Sequence, residues 1–343
     1  MPIPCFRLIC VVLFAVIIQW SYCFKMSQFR NRLSRNLFTS ARLASTQKMQ
    51  LPTEWSWQSI RSMNSNLYAK AFGKTLKLGS YTSPVINQHR SQWCGCCYMI
   101  AALQVLQDRT HIIMGSRGTF DGPMMPWIEF DSQIALDTYD TYHRPTLQQP
   151  WNACRGGDPL KVFQAIERDV VPLVIVNGIG SVWLGYPNVD RKKYKSDHNL
   201  KVINSRHIQD QSPDIIKQEI FKNGPIVLGI NAQYIKETDV WGYLPLEGNV
   251  GPRNHAVSVV GWKKNKDIEY WIIRNSWGKS MVPEDKPSDI KCVTVGENLC
   301  KVNMDTYTSD PGNLGYIYAP IHHPHFIELK PSPWYTADII VKD

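Results

Sequence analysis

Long apolar runs, internal repeats and low-complexity tracts are all lacking beyond the first 23 of the 343 residues. The first absence excludes a later membrane-spanning helix, and the others exclude a repeat array and a Ser- or Gly-rich linker between domains. From Leu51 onward about 290 residues remain, which is enough for one large domain or for two small lobes around a cleft.

Acidic residues are absent from the first 50 positions, which contain seven of the 38 Lys and Arg residues. The rest of the chain carries the other 31 basic residues and all 29 acidic ones, so its net charge is close to zero. A nucleic-acid-binding protein would carry its positive excess on the folded part, where phosphates are met. We therefore expect no nucleic-acid partner.

The amino-terminal segment is typical of a secretory signal peptide, because one arginine precedes the apolar run Leu8–Ile18 and this run is too short to span a bilayer comfortably. We expect the signal peptide at 1–23, with a membrane anchor as the alternative. The basic, acid-free segment 24–50 favours a short propeptide, with a second, organelle-targeting segment as the alternative. The folded domain is expected at 51–343, in the secretory pathway and finally in a lysosome-like compartment or outside the cell, without stable membrane insertion.

Nine cysteines are present, and entry into the secretory pathway allows some of them to form disulfides. Three lie in the leader, and the other six are Cys94, Cys96, Cys97, Cys154, Cys292 and Cys300. If one of these six stays free for chemistry, five remain, so at least one further thiol is unpaired or pairs outside the chain. Cys292 and Cys300 have a spacing suited to a local loop clip.

Helical patterns come before strand patterns along the chain. Apolar spacing predicts a buried helix over 97–108 and a second helix over 213–223, which ends at a Gly-Pro pair. Runs rich in β-branched and aromatic residues predict strands over 226–230, 255–262 and 268–274. This order predicts an α+β protein in which a helical lobe faces a β lobe. The stretch from residue 115 to residue 150 has no clear periodicity and is left unassigned.

The run from Asn87 to Tyr98 (NQHRSQWCGCCY) opens the first predicted helix. A thiol at the start of a helix, as at Cys97, meets unpaired N–H groups and the positive end of the helix dipole, so its reactive thiolate is favoured. The run alone is ambiguous, because a cysteine in a secreted chain is commonly half of a disulfide and Cys94-x-x-Cys97 could be a redox pair.

Two later motifs supply an imidazole and an amide. His255 begins one predicted strand, and Asn275 follows the next strand, so a turn between adjacent strands would bring the two side chains together. The asparagine would then hold the imidazole in one tautomer and orientation. Cys97 at a helix start, His255 on a strand and Asn275 on the next match the arrangement in which an imidazole activates a thiol nucleophile.

The run Cys94-Gly-Cys-Cys-Tyr98 resembles the signature of papain-like cysteine peptidases, and the resemblance extends from about Leu51 to Gly278, beyond which the chain diverges. Further matching motifs are LPTEWSW from Leu51, CRGG from Cys154 and NGPI from Asn223. Within the family, the cathepsin X branch of carboxypeptidases is the most similar. The resemblance implies a papain-like two-lobe fold, with a helical left lobe, a β-barrel-like right lobe and the active-site cleft between them.

Catalytic roles follow from the resemblance residue by residue. Cys97 would be the nucleophile, His255 the base and later the acid, and Asn275 the residue that orients it. Gln88 would donate to the oxyanion together with the backbone N–H of Cys97, because such a donor must be neutral and preorganised. Trp277 resembles the indole that shields the His–Asn pair from water.

Substrate-binding positions are implied in the same way. Gly156 and Gly157 would let an extended peptide approach the enzyme backbone, because no side chain stands in the way. Cys94 and Cys154 resemble the pair that forms the family's disulfide beside the active site. Without the resemblance, an ordinary tight turn is the alternative for the two glycines.

Substrate direction is implied by three extra residues that separate Gln88 from Cys94 relative to most papain-like enzymes. In the cathepsin X branch the similar loop narrows the cleft, and its histidine pairs with the terminal carboxylate of the substrate. His89 and Arg90 would supply such cationic donors here. The resemblance therefore implies a carboxypeptidase that acts on peptides or proteins as a monomer, without a metal or cofactor.

Some features depart from the family and leave alternatives open. Cys96 replaces a small residue and Tyr98 replaces a tryptophan, while the expected continuation after Gly278 is absent. The alternatives are a papain-like endopeptidase, an inactive binding homologue and, in a different class, a thiol-disulfide oxidoreductase that uses Cys94 and Cys97. The last would leave the His255 and Asn275 motifs unexplained, and the clustered cysteines offer no second ligand pair for zinc.

Overall fold

The structure is a computed structural model, and one compact unit comprises Leu51–Asp343. It describes residues 50–89, 94–117, 129–143, 153–176, 195–197, 199–239, 241–247, 251–278, 292–294, 300–302, 315–327 and 330–342. The expected signal peptide and almost all of the expected propeptide therefore lie outside the described residues, and their boundaries stay predictions. Among the described helices, none combines the length and the apolar character that a membrane crossing requires.

Helices and strands alternate irregularly along the chain. The helices are α1 (Ser62–Phe72), α2 (Cys97–Ser116), α3 (Ser132–His143), α4 (Pro159–Glu167), α5 (Pro213–Asn223), α6 (Ala232–Ile235) and α7 (Pro324–Ile327), with a 3-10 turn at Ala153–Arg155. The strands are β1 (Trp55–Ser56), β2 (Glu129–Phe130), β3 (Ile175–Val176), β4 (Leu200–His207), β5 (Ile226–Ile230), β6 (His255–Asn265), β7 (Ile268–Arg274), β8 (Cys292–Thr294), β9 (Cys300–Val302), β10 (Tyr316–Pro320) and β11 (Trp334–Val341).

One antiparallel sheet organises the described part of the chain. Its strand order is β10-β7-β6-β5-β11-β4, and β1 adds to β6. The order places β6, which begins at His255, between β7 on one side and β5 with β11 on the other. Two short ladders, β2–β3 and β8–β9, lie outside this sheet.

The central helix α2 packs against β5, β6 and β11 and is buried around its whole circumference from Cys97 to Ile112. A helix without a polar face belongs in the core, and its buried polar groups must find partners there. Arg109 does so by donating to three backbone carbonyls and to the carboxylates of Glu219 and Asp338. The helix is therefore held rigidly against the sheet, with its first residue at one sheet end.

The expected α+β fold is confirmed, and the differences concern element lengths. The helix predicted over 97–108 continues to Ser116, and the strand predicted over 255–262 continues to Asn265. The unassigned stretch contains β2 and α3, whose buried positions include the apolar Ala135, Leu136 and Tyr139 and the polar Ser132, Gln133 and Asp140. Polar residues at buried positions blur the apolar periodicity that would have predicted this helix. Strands are not confined to the later half, since β2, β3 and β4 all precede α5.

Candidate active site

Cys97 lies at the first position of α2, with Cys96 as the preceding cap residue. Its side chain is 8% exposed and lines a cavity of about 530 Å³. Burial raises the pKa of the Cys97 thiol, and the backbone N–H groups of Ala256, Tyr98 and Cys97 oppose that rise because they favour the thiolate. The backbone N–H of Ala256, the second residue of β6, thus points towards the sulfur of Cys97.

His255 opens β6 and contacts Asn275, as the sequence motifs predict. The ring Nε2 lies 2.7 Å from Asn275 Oδ1, which also accepts the N–H of Ser276 at 2.8 Å. Two donors converging on one atom identify it as the amide oxygen, so the proton of the neutral imidazole belongs to Nε2. The Nδ1 atom is then the basic nitrogen.

The sheet brings these two side chains together. β6 and β7 pair with Ser258 opposite Arg274, so the chain leaves β7 beside the start of β6. The next residue, Asn275, is fixed by its N–H bond to Gly315 O at 2.9 Å. Trp277 then places its ring 4.7 Å from the imidazole of His255 and tilted by 33°. The indole therefore covers the imidazole, in the shielding position that the resemblance implies.

Burial of the imidazole disfavours its charged form. It lowers the pKa of His255 to about 4, while the hydrogen bond to Asn275 opposes this shift and the neighbouring His89 adds to it. Burial therefore disfavours the charged form of each group taken alone, the thiolate of Cys97 and the imidazolium of His255. A proton transfer from Cys97 to His255 would create both charges together and would avoid an isolated buried charge.

Gln88 is held with its amide in one orientation. Its Nε2 donates to Cys94 O at 2.9 Å, and the hydroxyl of Ser276 donates to its Oε1. Its backbone N–H also donates to Ser276 O at 2.8 Å. The side chain is 2% exposed and lines the cavity that contains Cys97. The amide is therefore fixed at the wall of the cavity that contains Cys97, with its Nε2 bonded to Cys94 O.

A disulfide joins the residues before the helix start to the segment that contains Gly156 and Gly157. Cys94 and Cys154 are bonded with their Cα atoms 4.4 Å apart, and Gly95 N donates to Cys154 O at 2.7 Å. Cys96 and Cys97 are the free thiols among the described cysteines. The ladder of β8 and β9 contains Cys292 and Cys300, but their side chains lie outside the described part, so the predicted clip stays a prediction.

Gly156 and Gly157 both line the cavity, and they lack side chains for different reasons. Gly156 has a φ of +94°, which L-residues rarely adopt, and no atom lies within 4 Å of where its Cβ would be. A Cβ on Gly157 would lie 2.5 Å from the ring of Tyr98. The second glycine therefore makes room for the aromatic residue next to the nucleophile, in addition to any backbone contact with a peptide.

His89 is half-buried at the cavity and close enough to His255 to affect its protonation. Its backbone N–H donates to Asn87 Oδ1 at 3.0 Å, and burial lowers the pKa of its imidazole. The structure thus brings this predicted substrate-binding residue to the cavity. Arg90 lies outside the described residues.

Two arginines at the cavity have no motif in the sequence that would predict them as site residues. Both residues line the cavity. Arg155 follows the disulfide-bonded Cys154, and Arg253 precedes His255 by two positions. The proximity of Arg253 to His255 in the sequence is its one local signal, because the burial of its Nη1 atom depends on residues far away in the sequence. Ser276, which orients Gln88, was visible in the Asn-Ser-Trp-Gly run but received no role.

The sequence matches the family model of papain family cysteine protease over residues 76–307. Cysteine proteinase 3 of Entamoeba histolytica is 26% identical over 217 residues, which cover 62% of this chain and 60% of that protein. Cathepsin Z of Onchocerca volvulus is 25% identical over 244 residues, which cover 66% of this chain and 66% of that protein. The chain therefore spans less than two-thirds of the length of these curated relatives.

A solved structure supports the fold. The proform of Amb a 11, a cysteine protease and major ragweed pollen allergen, aligns with a TM-score of 0.52 at 17% identity. The alignment covers 87% of this chain and 69% of that chain. At this identity the likeness shows a shared papain-like fold and nothing about substrates.

Proposed function

The chain belongs to the papain family of cysteine proteases, and we propose that it hydrolyses peptide bonds with Cys97 as nucleophile and His255 as general base. The observation that carries the proposal is the 2.7 Å hydrogen bond between His255 and Asn275, beside a cavity lined by both Cys97 and His255. The bond leaves Nδ1 as the basic nitrogen of an imidazole next to a thiol, which is the pairing that nucleophilic thiol catalysis requires.

The reaction then proceeds in two halves. His255 takes the proton of Cys97, and the thiolate adds to the carbonyl carbon of the peptide bond. Gln88 Nε2 and the N–H of Cys97 donate to the oxyanion that forms. His255 gives its proton to the leaving amine, so that a thioester remains on Cys97. Water, deprotonated by His255, cleaves the thioester and releases the acid and the free thiol.

We propose further that the enzyme is a carboxypeptidase of the cathepsin X type. The support is His89, which lines the same cavity next to Gln88 and lies at the start of the three-residue extension. A protonated imidazole there, with Arg90 beside it in sequence, can donate to the terminal carboxylate of a peptide. An endopeptidase remains the alternative within the same chemistry.

A thiol-disulfide oxidoreductase using Cys94 and Cys97 is disfavoured. Cys94 is bonded to Cys154, and Cys97 is a free thiol. The bridge is consistent with an oxidising compartment, and we propose that the protein enters the secretory pathway and works in a lysosome-like compartment or outside the cell.

The decisive experiment is labelling of the folded protein with an epoxide inhibitor of cysteine peptidases, followed by mass-spectrometric mapping. We expect one label, on Cys97, and loss of peptide hydrolysis in proportion to labelling. A matched sample first alkylated at neutral pH with iodoacetamide should take no epoxide. Labelling on Cys96, or full hydrolysis after labelling, would overturn the assignment.

A further inference from the structure

The cavity around the proposed nucleophile has a one-sided charge. Arg155 and Arg253 line it together with two histidines, and no Asp or Glu is among its described lining residues. The chain after residue 50 has a nearly balanced number of basic and acidic residues. The positive charge of the two arginines therefore belongs to the cavity rather than to the protein as a whole, and it favours an anionic occupant.

Arg253 has a buried donor that the protein leaves unsatisfied. Its Nη1 is buried and has no hydrogen-bond partner within the described part of the chain. Among the described residues, the two fully buried arginines, Arg109 and Arg274, each donate to several acceptors, and the Nε of Arg274 is their one donor without a partner. A buried donor without an acceptor is costly, so an acceptor supplied by a ligand would restore the missing interaction.

Gly229, Tyr335 and Asp158 lie near the Arg253 side chain. A Cβ at Gly229 would lie 3.4 Å from Arg253 Cδ and 3.6 Å from the ring of Tyr335, so the missing side chain leaves a recess there. Burial raises the pKa of Tyr335, Asp158 adds to the rise and Arg253 opposes it, which places both charges near the phenol. The Asp158 carboxylate accepts the N–H of Leu160 at 2.9 Å as the cap of α4, and it forms no ion pair with Arg253.

The sheet order places this recess and His89 on opposite sides of His255. Gly229 belongs to β5 and Tyr335 to β11, which both lie on one side of β6. Trp277 follows β7, on the other side of β6, and pairs with Asn87 two residues before His89. A peptide that crosses the catalytic pair therefore meets His89 on one side of the cleaved bond and Arg253 on the other.

Resting on the proposed peptidase activity, we propose that Arg253 selects substrates with an Asp or Glu side chain on the amino-terminal side of the cleaved bond. The leaving residue occupies the His89 side, so the acyl part of the peptide lies over Gly229 and Tyr335. A carboxylate in this recess accepts from the planar guanidinium, which matches its two oxygens better than an ammonium would. The neutral amide of Gln or Asn forms the weaker, uncharged bond.

The test compares peptides that differ only in Glu or Gln at each of the first three positions before the cleaved bond. Active-enzyme concentrations are set by titration with an epoxide inhibitor, so that loss of folding is separated from loss of selectivity. At one position we expect kcat/KM to favour Glu by roughly ten- to hundredfold, the range of a charge-assisted hydrogen bond. Arg253→Gln should bring this ratio close to one, and Arg253→Glu should favour Lys at that position.

Arg168→Gln is the matched control, because Arg168 is an exposed arginine outside the cavity lining. It should keep the wild-type ratio. Equal cleavage of Glu and Gln peptides by the wild type would overturn the selectivity while leaving the peptidase proposal intact. If Arg155→Gln loses the preference for Glu while Arg253→Gln keeps it, Arg155 binds the substrate carboxylate and the proposal for Arg253 is overturned. Failure of the titrated enzyme to cut any peptide would overturn both proposals.

Discussion

Asp108 and Arg274 form an ion pair in which Nη2 and Oδ2 are 2.8 Å apart and both side chains are 0% exposed. Asp108 lies about three turns into the helix that begins at Cys97, and Arg274 immediately precedes Asn275. Ser83 completes the pair by donating its N–H and its hydroxyl to Asp108 Oδ1 at 2.7 and 2.9 Å. The pair therefore joins the helix of the proposed nucleophile to the strand end that positions the imidazole's partner.

Asp108→Asn should be strongly destabilising. The variant keeps the side-chain shape but leaves the charge of Arg274 buried without its counter-ion, which typically costs about 3–5 kcal/mol. Urea unfolding of the epoxide-blocked enzyme measures the loss. Asp267→Asn is the control, because its partner Lys264 is exposed and the pair lies at the surface, so no measurable shift is expected. Equal unfolding midpoints for both variants would contradict a structural role for the buried pair.

Cys97→Ala should abolish peptide hydrolysis and leave the unfolding midpoint nearly unchanged, because the substitution removes one sulfur at a cavity wall. Cys96→Ala is the matched control at the neighbouring free, buried thiol, which does not line the cavity. It should retain most of the activity. Hydrolysis is followed by peptide mass spectrometry, and reduction of insulin disulfides is measured in parallel. Residual hydrolysis above a few per cent in Cys97→Ala would refute the nucleophile assignment.

Motifs with strong local signals were predictable from the sequence. The strands at 226–230 and 268–274 and the helix at 213–223 have the bounds expected from their composition. The placement of His255 beside Asn275 follows from two consecutive strands that pair, because short connections favour antiparallel neighbours. Such features depend on residues close together in the chain.

Contacts between distant residues were not predictable in this way. The isolation of Arg253 depends on Gly229 and Tyr335, which belong to other strands, and in the sequence it resembles any solvated arginine. Likewise, the sequence around Gly157 is typical of a turn. The structure shows in addition that a side chain at this position would collide with the ring of Tyr98. The surroundings of Arg253 and of Gly157 depend on how separate elements pack together, and the periodicity of a sequence does not predict that packing.

Gln88→Ala should lower kcat by roughly 100-fold or more with little change in KM, because an oxyanion donor acts mainly in the transition state. Ser276→Ala should cause a smaller loss, since it removes the hydroxyl that fixes the amide but keeps the amide itself. Steady-state kinetics on one peptide separates kcat from KM for both variants. A Gln88→Ala enzyme with wild-type kcat and a raised KM would mean that the amide only binds substrate.

Protonation of His89 should make the preference for a free carboxyl terminus depend on pH. Only the protonated imidazole can donate a charge-assisted bond to a terminal carboxylate, and burial lowers the pKa of His89. The bond is therefore fully present below that lowered pKa and is lost as the pH rises through it.

The quantity to measure is the ratio of kcat/KM for a peptide with a free carboxyl terminus to that for its amide, since titration of Cys97 and His255 affects both substrates alike. We expect the ratio to be highest, roughly ten to one hundred, at the lowest pH at which the enzyme stays folded and active, and to fall as the pH rises towards neutrality. His89→Gln should give a low ratio that does not vary with pH. His322→Gln, at an exposed histidine outside the cavity lining, should behave as the wild type. If free and amidated peptides are cut equally well at every pH, or if His89→Gln keeps the wild-type profile, this histidine does not recognise the carboxylate and the enzyme is an endopeptidase.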